Sequence, residues 1–330
     1  MKKFSEIRRF RFYRTLALCV LGVYIVVVIA INPQDTFWTN VLTLLTLLIA
    51  LICTMVPVII HLHVIGSAEV LLDHSCDPAA FVQRCDKMGL LGPLPRRGLY
   101  RQEAVLLHRY GIALIEVGRT RDAAQIRRYI EEALTRGRRY YSDPSHSARR
   151  RANALAYCVA MDMCLADLCA RLGDAEAAMA YEGQFKDELW HLPQSAFKSA
   201  ANRDLELGGR VTISSSIALF LPVGASPAFS EGEVTVLESN TNRRRLAAEA
   251  RMALAEEAWY RGESDRERSL LEQVAAAAPR MRVGRVAAFK LAFRSDTGTP
   301  VGYETLRLSE PVDPHPALPM TSGEYIQQNR

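Results

Sequence analysis

Five side chains suited to metal or thiol chemistry crowd one short stretch: His61, His63, His74, Cys76 and Cys85. Imidazole and thiolate are good ligands for zinc or copper. Their spacing matches no closed site, and His61 and His63, two residues apart, fall on different faces of a helix. His74, Cys76 and Cys85 are the metal or thiol candidates; the plainer expectation is interfacial histidines and buried thiols. Cys158, Cys164 and Cys169 follow at intervals of six and five residues. At most two share a helix face, which points to small buried apolar side chains. No CxxC pair occurs, and the odd total of seven cysteines fits a reducing compartment.

A second group is basic. "TRGRRYYSDPSHSARRR" holds Arg136, Arg138, Arg139, Arg149, Arg150 and Arg151, with Tyr140 and Tyr141 among them. Such a cluster suits anionic lipid at an inner leaflet or an acidic partner. The plainer reading is a solvated turn whose cations satisfy helix-end carbonyls. Nucleic acid is not expected, because charge elsewhere in the chain is balanced. The sequence has no GxGxxG, GxxxxGK[ST], HExxH or GxSxG. No catalytic residue, cofactor or enzymatic activity is therefore expected.

The elements that must carry these groups begin with two apolar runs. The net charge of +5 equals the excess in residues 1–14, where six basic residues face Glu6. "TLALCVLGVYIVVVIAI" follows over residues 15–31, then the polar stretch "INPQDTFWTN", then "VLTLLTLLIALICTMVPVII" over residues 41–60. The two runs reach about 26 and 30 Å as helices, enough for a transmembrane hairpin. Basic residues before the first run, and none in the loop, predict cytoplasmic N and C termini in a multi-pass protein of the cell membrane. The second helix is expected to continue outward through "SAEVLLDHSC" among juxtamembrane elements over residues 61–99.

Beyond the membrane the composition predicts an all-α chain. Asp77 and Pro78 read as N-cap and first helical residue, with Gly89 as the stop. Between residues 100 and 294, helix, glycine turn and amphipathic helix recur. The turns fall at Gly118, Gly173 and Gly262, and Gly137 reads as the end of the second helix of the first pair. An insertion over residues 208–240 breaks the pattern. In it "RVTIS" and "EVTVLES" read as pairing strands, and "IALFLPV" reads as loop packed on the array, or as a segment that dips into the bilayer or grips a partner. Residues 295–330 carry five prolines and read as a disordered tail.

This layout resembles the tetratricopeptide-type helical repeats. The likeness rests on a small residue inside each first helix (Gly111, Ala166, Ala255), the turn glycines Gly118, Gly173 and Gly262, Ala123 and Ala178 about five residues later, and the closing Pro279. Glu267 replaces the third alanine, early aromatic anchors are missing, and the glycines lie 55 and 89 residues apart. The resemblance implies a solenoid whose groove binds peptides or protein helices. Tyr110, Leu114, Tyr157, Met161 and Trp259 are then the expected partner-contacting residues. The functional expectation is a membrane-tethered scaffold that recruits an unidentified protein. The alternatives are a juxtamembrane thiol or metal sensor and an accessory subunit of a transport complex.

Overall fold

A computed structural model describes residues 15, 19–26, 36–91, 101–194, 200–221, 226–241 and 243–297. Among these the chain is all helical, with no strand. Residues 19–26 are helical. The helices with defined bounds are α1 (Thr36–Asp73), α2 (Pro78–Met88), α3 (Arg101–Glu116), α4 (Thr120–Ser142), α5 (Ala148–Arg171), α6 (Ala175–Trp190), α7 (Ala200–Phe220), α8 (Glu231–Thr241), α9 (Arg244–Tyr260), α10 (Ser264–Ala277) and α11 (Arg282–Thr297). The basic N terminus, residues 27–35 of the first run and polar stretch, and the tail beyond Thr297 lie outside the described residues.

The chain divides into two compact units: Met1–Ala68 with Arg84–Gly92, and Glu69–Gln83 with Pro93–Arg330. In the first unit, the helical segment 19–26 and the following α1 residues turn apolar side chains outward. Val23 and Val26 are exposed, as are Val41, Leu44, Leu48 and Ile52. α1 begins at Thr36, so the second half of the expected polar loop is the helix's first turn. The helix is unbroken across Pro57 and runs 38 residues, about 57 Å. Its continuation to Asp73 agrees with the sequence reading.

The second unit is built from consecutive pairs. α3 packs on α4, α5 on α6, α7 on α8 and α9 on α10; each odd-numbered helix from α3 to α11 also packs on the next one in its series. Three turns between paired helices share one geometry. Gly118, Gly173 and Gly262 have φ of 78°, 78° and 72°. In each, the next residue's N–H reaches the carbonyl five back: Arg119 to Leu114 (2.7 Å), Asp174 to Cys169 (2.9 Å), Glu263 to Ala258 (2.9 Å). A left-handed glycine that lets this bond close is the Schellman stop. Asp174 then caps α6 through Oδ1, which accepts from Ala177 N at 3.1 Å. Asp77 likewise caps α2, accepting from Ala80 N at 2.9 Å.

Two expectations are corrected. The strands are helices: Arg210–Ser214 lies inside α7 and Glu233–Ser239 inside α8. α7 sits between α5 and α9, where Val211 and Ile213 are buried, and packing of that kind overrides β-propensity. Thr212 and Ser215 hydroxyls donate back to the carbonyls of Gly208 and Val211, each at 2.6 Å, so the two buried hydroxyls are satisfied within the helix. Ile217, Leu219 and Leu221 are buried, so that part of the apolar run neither dips into a bilayer nor faces a partner. The second correction is Gly137, which does not end α4. A Cβ there would sit 3.0 Å from the Tyr157 ring and 3.1 Å from the Cys158 sulfur, so the glycine admits the neighbouring helix.

Gly284 and Gly183 give a contrasting pair. A Cβ at Gly284 would meet the Ala278 carbonyl oxygen at 1.9 Å, and one at Gly183 meets nothing within 4 Å. In denaturant melts Gly284→Ala is expected to destabilise by about 1–3 kcal/mol. Gly183→Ala should stabilise by roughly 0.5–1 kcal/mol.

Candidate functional site

Inside the second unit, charged side chains from four helices join in one buried network. The end of α1 contributes Glu69 and Asp73. Arg109 of α3 donates to both, at 2.5 Å each. The second Asp73 oxygen accepts from Arg245 Nε of α9 at 3.0 Å. Arg245 and Arg171 of α5 both donate to Glu249 Oε2, at 2.9 and 2.7 Å. Arg171 also donates to Asp167 Oδ1 at 2.6 Å, and its guanidinium lies 4.7 Å from the centre of the Phe220 ring. Asp167 Oδ2 pairs with His108 Nε2 of α3 at 2.6 Å, and its Oδ1 accepts from Ser216 of α7. Except for Glu69 and Arg109, which are partly exposed, every member is buried.

Burial disfavours charge, so the partners set the protonation states. Burial alone would raise the Asp73 carboxyl; the guanidiniums of Arg109 and Arg245 outweigh it and hold it at about 2. Asp167 is likewise held below the carboxylate range, by Arg171 and His108 against burial. Burial pushes His108 down, and the Cys164 sulfur and Asp167 carboxylate together lift it to about 9. His108 is therefore a cation at neutral pH. Glu69 is raised, mainly by burial against Arg109. Glu116, near the network, is raised by burial, although it accepts from Arg282 N at 2.7 Å.

The Ser216, Asp167 and His108 set has the residue types of a hydrolase triad, but the acid sits in the middle. The hydroxyl and the imidazole each bond Asp167, and a nucleophile needs the base between them. All three side chains are also shielded from solvent. The arrangement fits positioning: it fixes α3, α5, α7, α9 and the end of α1 against one another.

The expected site residues scatter. Tyr110, Leu114 and Met161 are fully buried, so they pack the interior and no partner reaches them in this fold. Tyr157 is half-buried beside Gly137, and Trp259 is half-buried under Lys290, whose Nζ lies 5.6 Å from the indole centre. The arginine cluster splits. Arg138 bonds Asp162 with 2.9 Å contacts to both oxygens, Glu188 at 2.9 Å and Gln184 at 2.7 Å; Arg136 pairs with Glu132 at 3.4 Å. Arg139, Arg149, Arg150 and Arg151 are exposed. His74 and His63 are exposed, whereas Cys76 and Cys85 are buried. Burial raises both thiols, Cys76 to about 11. No group of three or more metal-ligating side chains occurs among the described residues. The sensor expectation groups His74, Cys76 and Cys85, and the fold gives the histidine an exposed setting and the two thiols a buried one. Cys158, Cys164 and Cys169 are buried, as the sequence suggested, and the Cys164 sulfur also acts on the His108 ring.

Among the described residues one helix, α5, is long and apolar enough to cross a membrane by length and composition, yet 72% of that window is buried inside the protein. No protein-family model, curated protein or solved structure matches the chain.

The network predicts a stability profile with two arms. Asp73 is depressed from 3.8, so its contribution is present above about pH 4 and lost as pH falls towards 2. His108 is raised from 6.5, so its contribution is complete below pH 6.5 and lost as pH rises to about 9. Melting temperatures across pH should show a plateau between these limits. His108→Gln should flatten the alkaline arm, removing a pH-dependent loss on the order of 3 kcal/mol, and leave the acid arm in place.

Proposed function

We propose that the chain is a non-enzymatic, membrane-tethered scaffold whose helix pairs form a tetratricopeptide-like solenoid that gathers a protein partner at the inner face of the membrane. The observation that carries the reading is α1. One unbroken helix bears an apolar run with exposed Val41, Leu44, Leu45, Leu48 and Ile52 and ends with Glu69 and Asp73 in the buried charge network. Exposed leucine and valine in a continuous run are costly in water and favourable in lipid. α5 is the control: it is apolar by composition, but its side chains are covered by protein. Apolar composition alone does not mark a span; apolar composition with outward side chains supports one.

The solenoid reading is supported by the repeated glycine stop and by the packing of α3, α5, α7, α9 and α11 in series. α7 and α8 lie where the insertion over residues 208–240 was expected, so a fourth helix pair adds support to this reading. The interior position of Tyr110, Leu114 and Met161 moves any partner surface to other, exposed side chains.

The proposed topology puts both termini in the cytoplasm and the polar stretch outside. In intact cells, a membrane-impermeant maleimide should label Asp35→Cys, and should label Ser142→Cys only after permeabilisation. Labelling of Ser142→Cys in intact cells would reverse the orientation. Release of the chain from membranes by alkaline carbonate would overturn the tether itself.

A further inference from the structure

The fold brings an unusual set of side chains to one end of the α4, α5 and α6 group. Arg138, near the end of α4, bonds Gln184 and Glu188, near the end of α6. Leu192, just past α6, packs with Leu155 and Ala156 in the third turn of α5. The C-termini of α4 and α6 and the N-terminus of α5 therefore meet. There, Trp190 is 87% exposed, and Tyr140 and Tyr141 are 42% and 37% exposed. Arg149, Arg150 and Arg151 stand exposed in the first turn of α5, at the same end of the group. Residues 136–151 hold six arginines against one acid, Asp143.

Two features need a reason beyond folding. A tryptophan this exposed contributes little to the interior and leaves a large apolar face in water. Three arginines in a first turn oppose the helix macrodipole, which favours acids there, and α5 has no acid in that turn. A local rule broken without compensation inside the fold marks a surface kept for something else. Tryptophan, tyrosine and arginine together are the side chains that settle at a lipid headgroup layer: rings at the apolar boundary, guanidiniums on phosphates.

We propose that the end of the helical array formed by Trp190, Tyr140, Tyr141 and Arg149–Arg151 docks on the surface of an anionic bilayer. This second contact deepens the membrane reading of α1 and is separable from it. The occupant is lipid, because a positive patch of amphipathic rings complements an anionic headgroup layer in both charge and polarity.

The test uses the full chain carrying Trp38→Phe and Trp259→Phe, which leaves Trp190 as the sole indole. It is mixed with phosphatidylcholine vesicles, with or without phosphatidylserine, carrying a headgroup-level quencher. Flotation is scored alongside Trp190 emission. The proposal expects a blue-shifted, quenched Trp190 only with phosphatidylserine, and reversal by high salt. Arg149→Gln, Arg150→Gln and Arg151→Gln together should weaken that contact about a hundredfold. The same triple variant should melt no lower than its parent, since it relieves the first turn of α5. A chain that floats with both vesicles while Trp190 stays solvent-like overturns the docking surface and leaves the tether. Flotation only with phosphatidylserine overturns the tether and keeps the surface. Flotation with neither overturns both. A blue shift with polyglutamate but with no vesicle assigns the surface to an acidic protein and overturns the proposal.

Discussion

The side chains Asp73, Arg109, His108, Asp167, Arg171, Arg245 and Glu249 are drawn from four helices, and most of them are out of reach of water. Moving a carboxylate or a guanidinium out of water costs several kcal/mol, and partners recover that only at good geometry. Each helix must therefore present its charge at one height and one rotation. Asp73 takes Arg109 on one oxygen and Arg245 on the other, which fixes the end of α1 between α3 and α9. Arg171 and Arg245 share one oxygen of Glu249, which fixes α5 against α9. Apolar packing alone would tolerate sliding of these helices, because one leucine replaces another at modest cost. The charge network sets the register.

Sequence patterning revealed the parts of the fold governed by local chemistry. Gly118, Gly173 and Gly262 announced their turns because a left-handed stop needs a residue without Cβ. Asp77 followed by Pro78 announced the start of α2 for an equally local reason. What failed depended on neighbours. Gly137 has the same residue type as a stop, and only the approach of Tyr157 and Cys158 reveals its use. The β-branched residues of α7 suggested a strand, and their burial between two helices made them helical. One overlooked signal was present: Ser230 and Glu233 form a capping box, in which Ser230 N donates to Glu233 Oε2 at 2.8 Å. That spacing announces α8 where "EVTVLES" suggested a strand.

The charge network was hidden for a related reason. Arg171, Arg245 and Glu249 sit in helices rich in alanine and arginine, where isolated charges suggest a solvated face. α5 and α9 are buried on nearly all sides, so the usual contrast between a polar and an apolar stripe is absent. The same effect governs two of the expected contact residues. Tyr110 and Met161 look like large groove-lining side chains, and in a helix covered all round they are core.

α1 and α5 show how surroundings divide similar sequences. Both are long and apolar. Beyond its basic first turn, α5 carries Asp162, Asp167 and Arg171 on a largely apolar surface and buries all three with partners on neighbouring helices. Between Val41 and Ile60 α1 carries no charge, and its described side chains there are largely exposed. Charge appears only at Glu69 and Asp73, where the helix joins the array. Such a helix exposes apolar side chains over one length and enters an ion-paired protein interior at the other. Hydrogen exchange of the chain in bilayers tests this account most directly. Backbone amides of residues 70–73 and 81–83 should exchange as slowly as those of α5. Rapid exchange there, with α5 still protected, would show that the end of α1 is not held by the network and would contradict the account.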